Sequence, residues 1–343
     1  MAPVDGRRWL GAALVALAIG CGSQGDASIL PDKWPLAGVA GYVFRDADDP
    51  MLLLSPGNDL DEPAAQPDPD SGGITIWGRT APSKMALPSQ LFRARVADLD
   101  NPGEPESAIE PTLPWEGGGL RGPSFVDAQG PLLFYQGEDG SVGLARLDGD
   151  RVTKLATAAP LATAALLGGG RKVGRVGAAL DPESGGGTIR LYYTVDDAEV
   201  YVAEAALSSV LAAPASAVDW QVRPAQLVAA DFQVPPGDTK AVPAERISEL
   251  SVRRATTPAG RVRWDLFLVA AADTDSALVA ASAYDDPQGP ERFAPVGTAL
   301  LKTSEGTLMS PAGTLFHGRP LLLAGLHTVQ TGIAVAVLPS SPP

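Results

Sequence analysis

Cysteine is almost absent from this chain. Cys21 stands alone in 343 residues, and only two histidines, His317 and His327, accompany it. One thiol builds no disulfide framework. Two histidines and one cysteine are too few for a zinc site of the usual composition, so no metal ligands are expected. No G-x-S-x-G segment occurs, which removes the serine elbow of an α/β-hydrolase. Long apolar runs are also missing. The longest, Leu10–Gly20, has eleven residues, about half of the ~20 that a membrane-spanning helix needs. Later runs such as Leu321–Leu326 are strand-sized. Basic side chains are scarce: 26 Lys and Arg face 40 Asp and Glu, a net charge of −14. A nucleic-acid partner is therefore not expected, because phosphates call for a basic patch. Polybasic docking to anionic lipid is not expected either.

What the N-terminus does have is an export pattern. Arg7 and Arg8 precede the apolar run, and small residues follow it, in the order of a signal peptide. The stretch Leu17-Ala18-Ile19-Gly20-Cys21 resembles the bacterial lipobox, with Ala18 where leucine is preferred. That resemblance implies cleavage after residue 20, a lipid on Cys21, and anchorage to a bilayer. Gly22, rather than Asp, follows the cysteine; by analogy with lipoprotein sorting this points to the outer membrane or cell surface. Cleavage removes Asp5, Arg7 and Arg8, leaving 24 basic and 39 acidic side chains, a net −15.

The rest of the chain divides simply. Residues 21–36 read as the lipidated cysteine and a flexible tether, rich in Gly, Ser, Asp and Pro. Residues 339–343 form a polar, Pro-rich tail. Between them, residues 37–338 show short β runs punctuated by Gly, Pro, Asp and Ser, and no long helical pattern. A repeat stands out. Gly122–Val126, Leu132–Tyr135 and Ser141–Leu147 form a strand, an apolar-aromatic strand and a strand of small residues. The unit recurs as Arg175–Leu180, Ile189–Val195 and Glu199–Leu207. It returns as Glu249–Arg253, Trp264–Ala271 and Ala277–Tyr284, then as Ser310–Phe316, Pro320–Leu326 and Thr331–Leu338. A looser first copy runs Val39–Phe44, Met51–Pro56, then Ile74–Thr80 or Leu91–Ala97. Five such units suit an all-β, five-bladed β-propeller of four-stranded antiparallel blades, since stacking hides both faces of each small sheet. The first strand of each unit is expected innermost. Gly57–Ser71, full of Asp and Pro, reads as a solvated insertion.

The copies Gly122–Asp150 (GPSFVDAQGPLLFYQGEDGSVGLARLDGD) and Gly187–Leu207 (GTIRLYYTVDDAEVYVAEAAL) share a grammar. It resembles that of the arabinanase, invertase and levansucrase superfamily, including glycoside hydrolases of the family 43 kind. The resemblance implies a five-bladed propeller with three carboxylates on inner strands: an Asp in blade one as base or nucleophile, an Asp in blade three that positions substrate, and a Glu in blade four as general acid. A pair is needed because one group protonates the leaving oxygen while the other prepares the attack. With Val39–Phe44 innermost, blade one offers no carboxylate, and Arg175 stands in blade three. Glu249 alone matches the family's acid. Leu326-His327 departs from a Tyr-His pair found in many members.

The candidate site residues are Arg121, Arg175, Glu249 and Ser310, at the starts of the last four inner strands. They are read as ligand contacts, with Glu249 catalytic only if the chain is an enzyme. A structural ion pair across blades is the competing reading of Glu249. Gly168–Gly174 lacks the spacing of a phosphate-binding loop and reads as an interblade loop. Asp46–Asp49, Asp59–Glu62 and Asp68–Asp70 carry oxygens that suit calcium, but none has EF-hand spacing, and no cofactor is expected. The expected function is a lipid-anchored, catalytically degenerate propeller, monomeric, that binds a glycan or another extracellular ligand at the channel mouth. An active glycosidase using Glu249 and an envelope interaction lipoprotein are the alternatives.

Overall fold

A computed structural model describes residues 43–45, 51–52, 60–68, 70–80, 88–182, 186–212, 218–235, 241–257, 260–286, 289–290, 293–296, 299–302, 306–328 and 331–338. Cys21, the signal segment, the tether, residues 39–42, Asp46–Asp49 and the C-terminal tail lie outside them. Among the described residues no helix is long and apolar enough to cross a membrane.

The described residues form five antiparallel sheets arranged as propeller blades, with their inner strands in a closed ring, and a two-stranded ribbon of Gln233–Val234 and Val242–Pro243. Blade one is Leu60–Pro67, Ile74–Thr80, Leu91–Val96 and Glu106–Ile109. Blade two is Leu120–Asp127, Pro131–Gly137, Val142–Asp148 and Arg151–Lys154. Blade three is Val173–Asp181, Thr188–Val195, Glu199–Ala206 and Gln221–Val228. In blade four, Arg246–Thr256, Val262–Ala272 and Asp275–Asp286 are edged by three two-residue pieces on the third strand. Blade five has Thr307–Phe316, Arg319–His327 and Thr331–Val337.

Its outer edge comes from the other end of the chain. Val43–Phe44 pairs with Val337 and Ala336, and Met51–Leu52 pairs with Ala334 and Ile333. The ring is thus closed by N-terminal strands on the last blade. The expectation that Val39–Phe44 and Met51–Pro56 open blade one is overturned, and so is the reading of Gly57–Ser71 as a solvated insertion. Leu60–Pro67 is the inner strand of blade one, and its first five residues are buried. Acids and prolines weaken β propensity. Here the strand is held by Ile74–Thr80 on one edge and by neighbouring inner strands, and its charges are paired. The other four inner strands contain the segments expected there.

Period-two alternation explains the cores. Each central strand is buried on both faces, so it sends alternate side chains to the two neighbouring blades. Leu133 and Tyr135 pack with Trp77 and Leu91 of blade one, while Leu132 and Phe134 pack with Leu191 and Tyr193 of blade three. Tyr192 turns instead to Trp264 and Leu266 of blade four. Phe267 and Val269 meet Leu322 and Leu326 of blade five. Leu321 and Leu323 meet Leu60, Ile74 and Ile76 of blade one. Five apolar clusters therefore fill five junctions, and Leu60 of the inner strand joins the last.

Candidate functional site

The inner strands share one irregularity. Pairing with the second strand slips between Asp61 and Ala64, Arg121 and Ser124, Val173 and Val176, Ser248 and Ser251, and Met309 and Ala312. In each blade two residues drop out of the ladder: Glu62-Pro63, Gly122-Pro123, Gly174-Arg175, Glu249-Leu250 and Ser310-Pro311. Such a bulge re-aims side chains. Proline suits it, because a residue outside the ladder loses nothing by lacking an N–H. The first bulge residue is left-handed at Glu62 (φ 52°), Gly122 (57°), Glu249 (55°) and Ser310 (47°). Three of these are not glycine, so the backbone is held there at a cost of about 1–3 kcal/mol each. In blade three Gly174 is required for space, since a Cβ would overlap Thr194 Oγ1.

The five bulges meet through side chains. Glu62 Oε2 accepts the Gly122 N–H. Arg175 Nη2 donates to Pro63 O at 2.7 Å and to Pro123 O at 3.0 Å. Ser310 Oγ donates to Glu249 Oε2 at 2.6 Å. Gln136, at the end of blade two's second strand, donates from Nε2 to Gly174 O at 3.1 Å, and its Oε1 accepts the Val176 N–H at 2.9 Å. Arg79 grips Asp61 bidentately, Nε to Oδ1 at 3.0 Å and Nη2 to Oδ2 at 2.9 Å, and its Nη1 lies 3.4 Å from Glu62 Oε1. His327 Nε2 is 3.5 Å from Asp61 Oδ2, an electrostatic contact rather than a hydrogen bond.

The structure thus brings Arg175, Glu249 and Ser310 into one cluster, with Arg121 beside it. Arg175 and Ser310 are buried, whereas Arg121 and Glu249 are partly exposed. Ser310 serves Glu249 and Arg175 serves backbone carbonyls, which leaves Glu249 and Arg121 as the partly exposed members of the four. Asp61 and Glu62 enter the sequence reading only within the calcium-suited stretch Asp59–Glu62, not as inner-strand residues, and Arg79 does not enter it. The available signal was the recurrence of proline after a variable residue in DEPA, RGPS and MSPA, which marks equivalent bulges.

Charges in this cluster are strongly biased. Burial pushes the Glu62 carboxyl up to about 7, and the negative charges of Glu249 and Asp61 add to the effect against Arg79 and Arg175. Burial also works on Asp61, but His327 and Arg79 more than offset it and leave that carboxyl below its ordinary value. Burial lowers the Arg175 guanidinium from its usual range, with Glu62 and Glu249 opposing. The site therefore holds two carboxylates from blades one and four that feel each other, a guanidinium from blade three that feels both, and an Asp61–Arg79 pair joined to them through Glu62. Among the described residues no group of His, Cys, Asp or Glu could hold a metal ion. Of the acidic stretches that suit calcium, Asp61 and Glu62 are engaged by Arg79, and Asp68 accepts the Asp70 N–H and the Ser71 hydroxyl.

Three solved structures place this fold. One is an endo-arabinase from Bacteroides thetaiotaomicron, 12% identical, with a TM-score of 0.56 over 85% of this chain and 97% of that one. Another is an α-L-arabinofuranosidase from Podospora anserina in complex with cellotriose, 13% identical, TM-score 0.54, covering 90% and 97%. A third is an α-L-arabinofuranosidase from Clostridium thermocellum, 12% identical, TM-score 0.54, covering 80% and 88%. No family model and no curated protein matches the sequence.

The raised Glu62 carboxyl has a consequence for stability. Folding moves it from about 4.5 to about 7. The folded state then binds more protons than the unfolded state in that window. The contribution of Glu62 is fully present below about 4.5 and is lost as pH rises through 7. Glu62→Gln keeps an acceptor for the Gly122 N–H but cannot titrate. Melting temperature measured from pH 4.5 to 8 should fall less steeply in Glu62→Gln than in wild type; identical slopes would contradict the assignment. Whatever its chemistry, this chain has the five-bladed propeller fold of arabinanase-like glycoside hydrolases.

Proposed function

We propose that the chain is an exported, lipid-anchored propeller that binds a glycan at the bulge end of its channel without turning it over. The observation that carries the second half is the third-blade bulge. The family resemblance implies a carboxylate there, and this chain has Gly174 and Arg175, with Arg175 committed to Pro63 O and Pro123 O. Glu62 is committed as well, to the Gly122 N–H and to Arg79. A general base must be free to take a proton from a water beside the sugar. A carboxylate already engaged on both oxygens is badly placed for that. Glu249 is partly exposed, with one oxygen held by Ser310, and suits a sugar hydroxyl as acceptor.

One observation favours a second reading, an active glycosidase. Glu62 stands on blade one and Glu249 on blade four, and the charge of Glu249 raises Glu62. Two carboxyls with separated proton affinities are the usual equipment of glycoside hydrolysis. Arabinan, xylan and fructan hydrolysis decides between them. The expected outcome is binding with no turnover, and weaker binding in Glu249→Gln. Turnover of ~1–1000 per second that vanishes in Glu249→Gln and Glu62→Gln would establish the hydrolase instead.

The anchor rests on the single cysteine following an eleven-residue apolar run. Cys21→Ser should move the protein from the detergent phase to the aqueous phase and remove the lipid mass from the N-terminal peptide. A wild-type protein that is already aqueous and unmodified would refute the anchor while leaving the propeller reading intact.

A further inference from the structure

Two guanidinium donors in the bulge cluster are unmatched. Arg121 makes no hydrogen bond and no ion pair among the described residues, and its Nε is buried without a partner. Arg175 is almost wholly buried, yet only its Nη2 is used; Nη1 is buried without a partner. Both sit at the junction of blades two and three. A Cβ on Gly122, next to Arg121, would meet the Arg175 side chain at 3.4 Å, and a Cβ on Gly140 would meet Arg121 Nη2 at 3.4 Å and Val173 O at 3.6 Å. Gln136 is already engaged, with Nε2 on Gly140 O and Gly174 O and Oε1 on the Val176 N–H. A buried donor left unmade is costly, and guanidinium groups supply donors only.

Charge accounting points the same way. Asp61 and Arg79 form a bidentate pair. Arg175 feels Glu62 and Glu249. Glu62, with its carboxyl near 7, carries only part of a negative charge at neutral pH. Arg121 is the cation left over, and it is partly exposed. The chain's net charge of −14 opposes any anion at long range. Selectivity for one must therefore come from short-range contact, where a planar guanidinium matches a two-oxygen acceptor best.

We infer that the mouth of this propeller recognises a carboxylate-bearing sugar, a uronic acid residue, through the Arg121 guanidinium at the junction of blades two and three. This rests on the glycan-binding reading above and adds the class of sugar. Glu249 with Ser310 accepts the hydroxyls of the same or the next ring, while Arg121 takes the carboxylate.

The test uses the purified full chain in detergent on an array holding uronic-acid oligosaccharides, their methyl esters, and neutral arabino- and xylo-oligosaccharides. Hits are titrated by calorimetry. A uronate and its methyl ester differ in charge but hardly in shape. Wild type should bind the free acid at least about tenfold more tightly than the ester, the scale of one charge-assisted contact. Arg121→Gln should erase that preference, bringing acid and ester to equal affinity. Arg121→Lys, which keeps the charge but not the fork, should keep part of it, and it serves if the glutamine variant fails to fold. Equal binding of acid and ester, or a preference untouched by both variants, would overturn the inference and leave glycan binding standing. No binding to any glycan on the array would overturn both.

Discussion

A charge buried at the centre of a propeller must be matched from more than one blade. Arg175 shows this most directly. Its guanidinium reaches from blade three to carbonyls of blades one and two, and it feels carboxylates of blades one and four. Removing one partner from a buried ionic group is strongly destabilising, by about 3–5 kcal/mol in typical cases. The inner strands are thereby tied in register at their bulges. The apolar clusters stack the blades in pairs, but they do not say how the five inner strands meet. The bulge cluster does. Glu62 joins blade one to two, Gln136 joins two to three, and Ser310 joins five to four.

The same constraint shapes what the site can do. A pair of carboxylates across a channel is chemically potent when both are free, and each oxygen spent on a structural bond lowers that potency. Here the structural demand is heavy. Asp61 is held by Arg79, and Glu62 by Arg79 and a backbone amide. Three left-handed, non-glycine residues, Glu62, Glu249 and Ser310, sit where the surroundings must over-determine the backbone. Under the proposed function a ligand would meet that end of the ring through Arg121 and Glu249, the partly exposed members of the cluster.

The architecture was legible because the second and third strands of blades two to five carry strong β signals. Leu132–Tyr135 is apolar on both faces and Ile189–Val195 carries an unbroken apolar face of Ile189, Leu191, Tyr193 and Val195, and turns separate them from their partners. The first blade was not legible. Leu60–Pro67 (LDEPAAQP) has two acids, two prolines and three small or polar residues, which read as loop until tertiary pairing overrides propensity. That one misplacement hid Asp61 and Glu62, and with them the carboxylate partner of Glu249. Arg121, Arg175, Glu249 and Ser310 were correctly placed on inner strands, because each stands near the start of a strand whose β signal is strong. Their division into buried and partly exposed was not legible, because it depends on how far each bulge turns its side chain toward the neighbouring blade.

The central claim is that Glu62 and Arg175, separated by 113 positions in sequence, are electrostatically coupled where the inner strands meet at their bulges. A double-mutant cycle measures this directly, with Glu62→Gln, Arg175→Met and the double variant unfolded in denaturant. Distant, independent sites add to within about 0.5 kcal/mol, whereas groups in one network couple by up to ~3 kcal/mol. The account predicts a coupling of about 1–3 kcal/mol, with the double variant destabilised by that much less than the sum of the two single variants. Additive effects would mean that Arg175 does not answer the charge of Glu62, and the bulge cluster would lose its role as the knot of the fold.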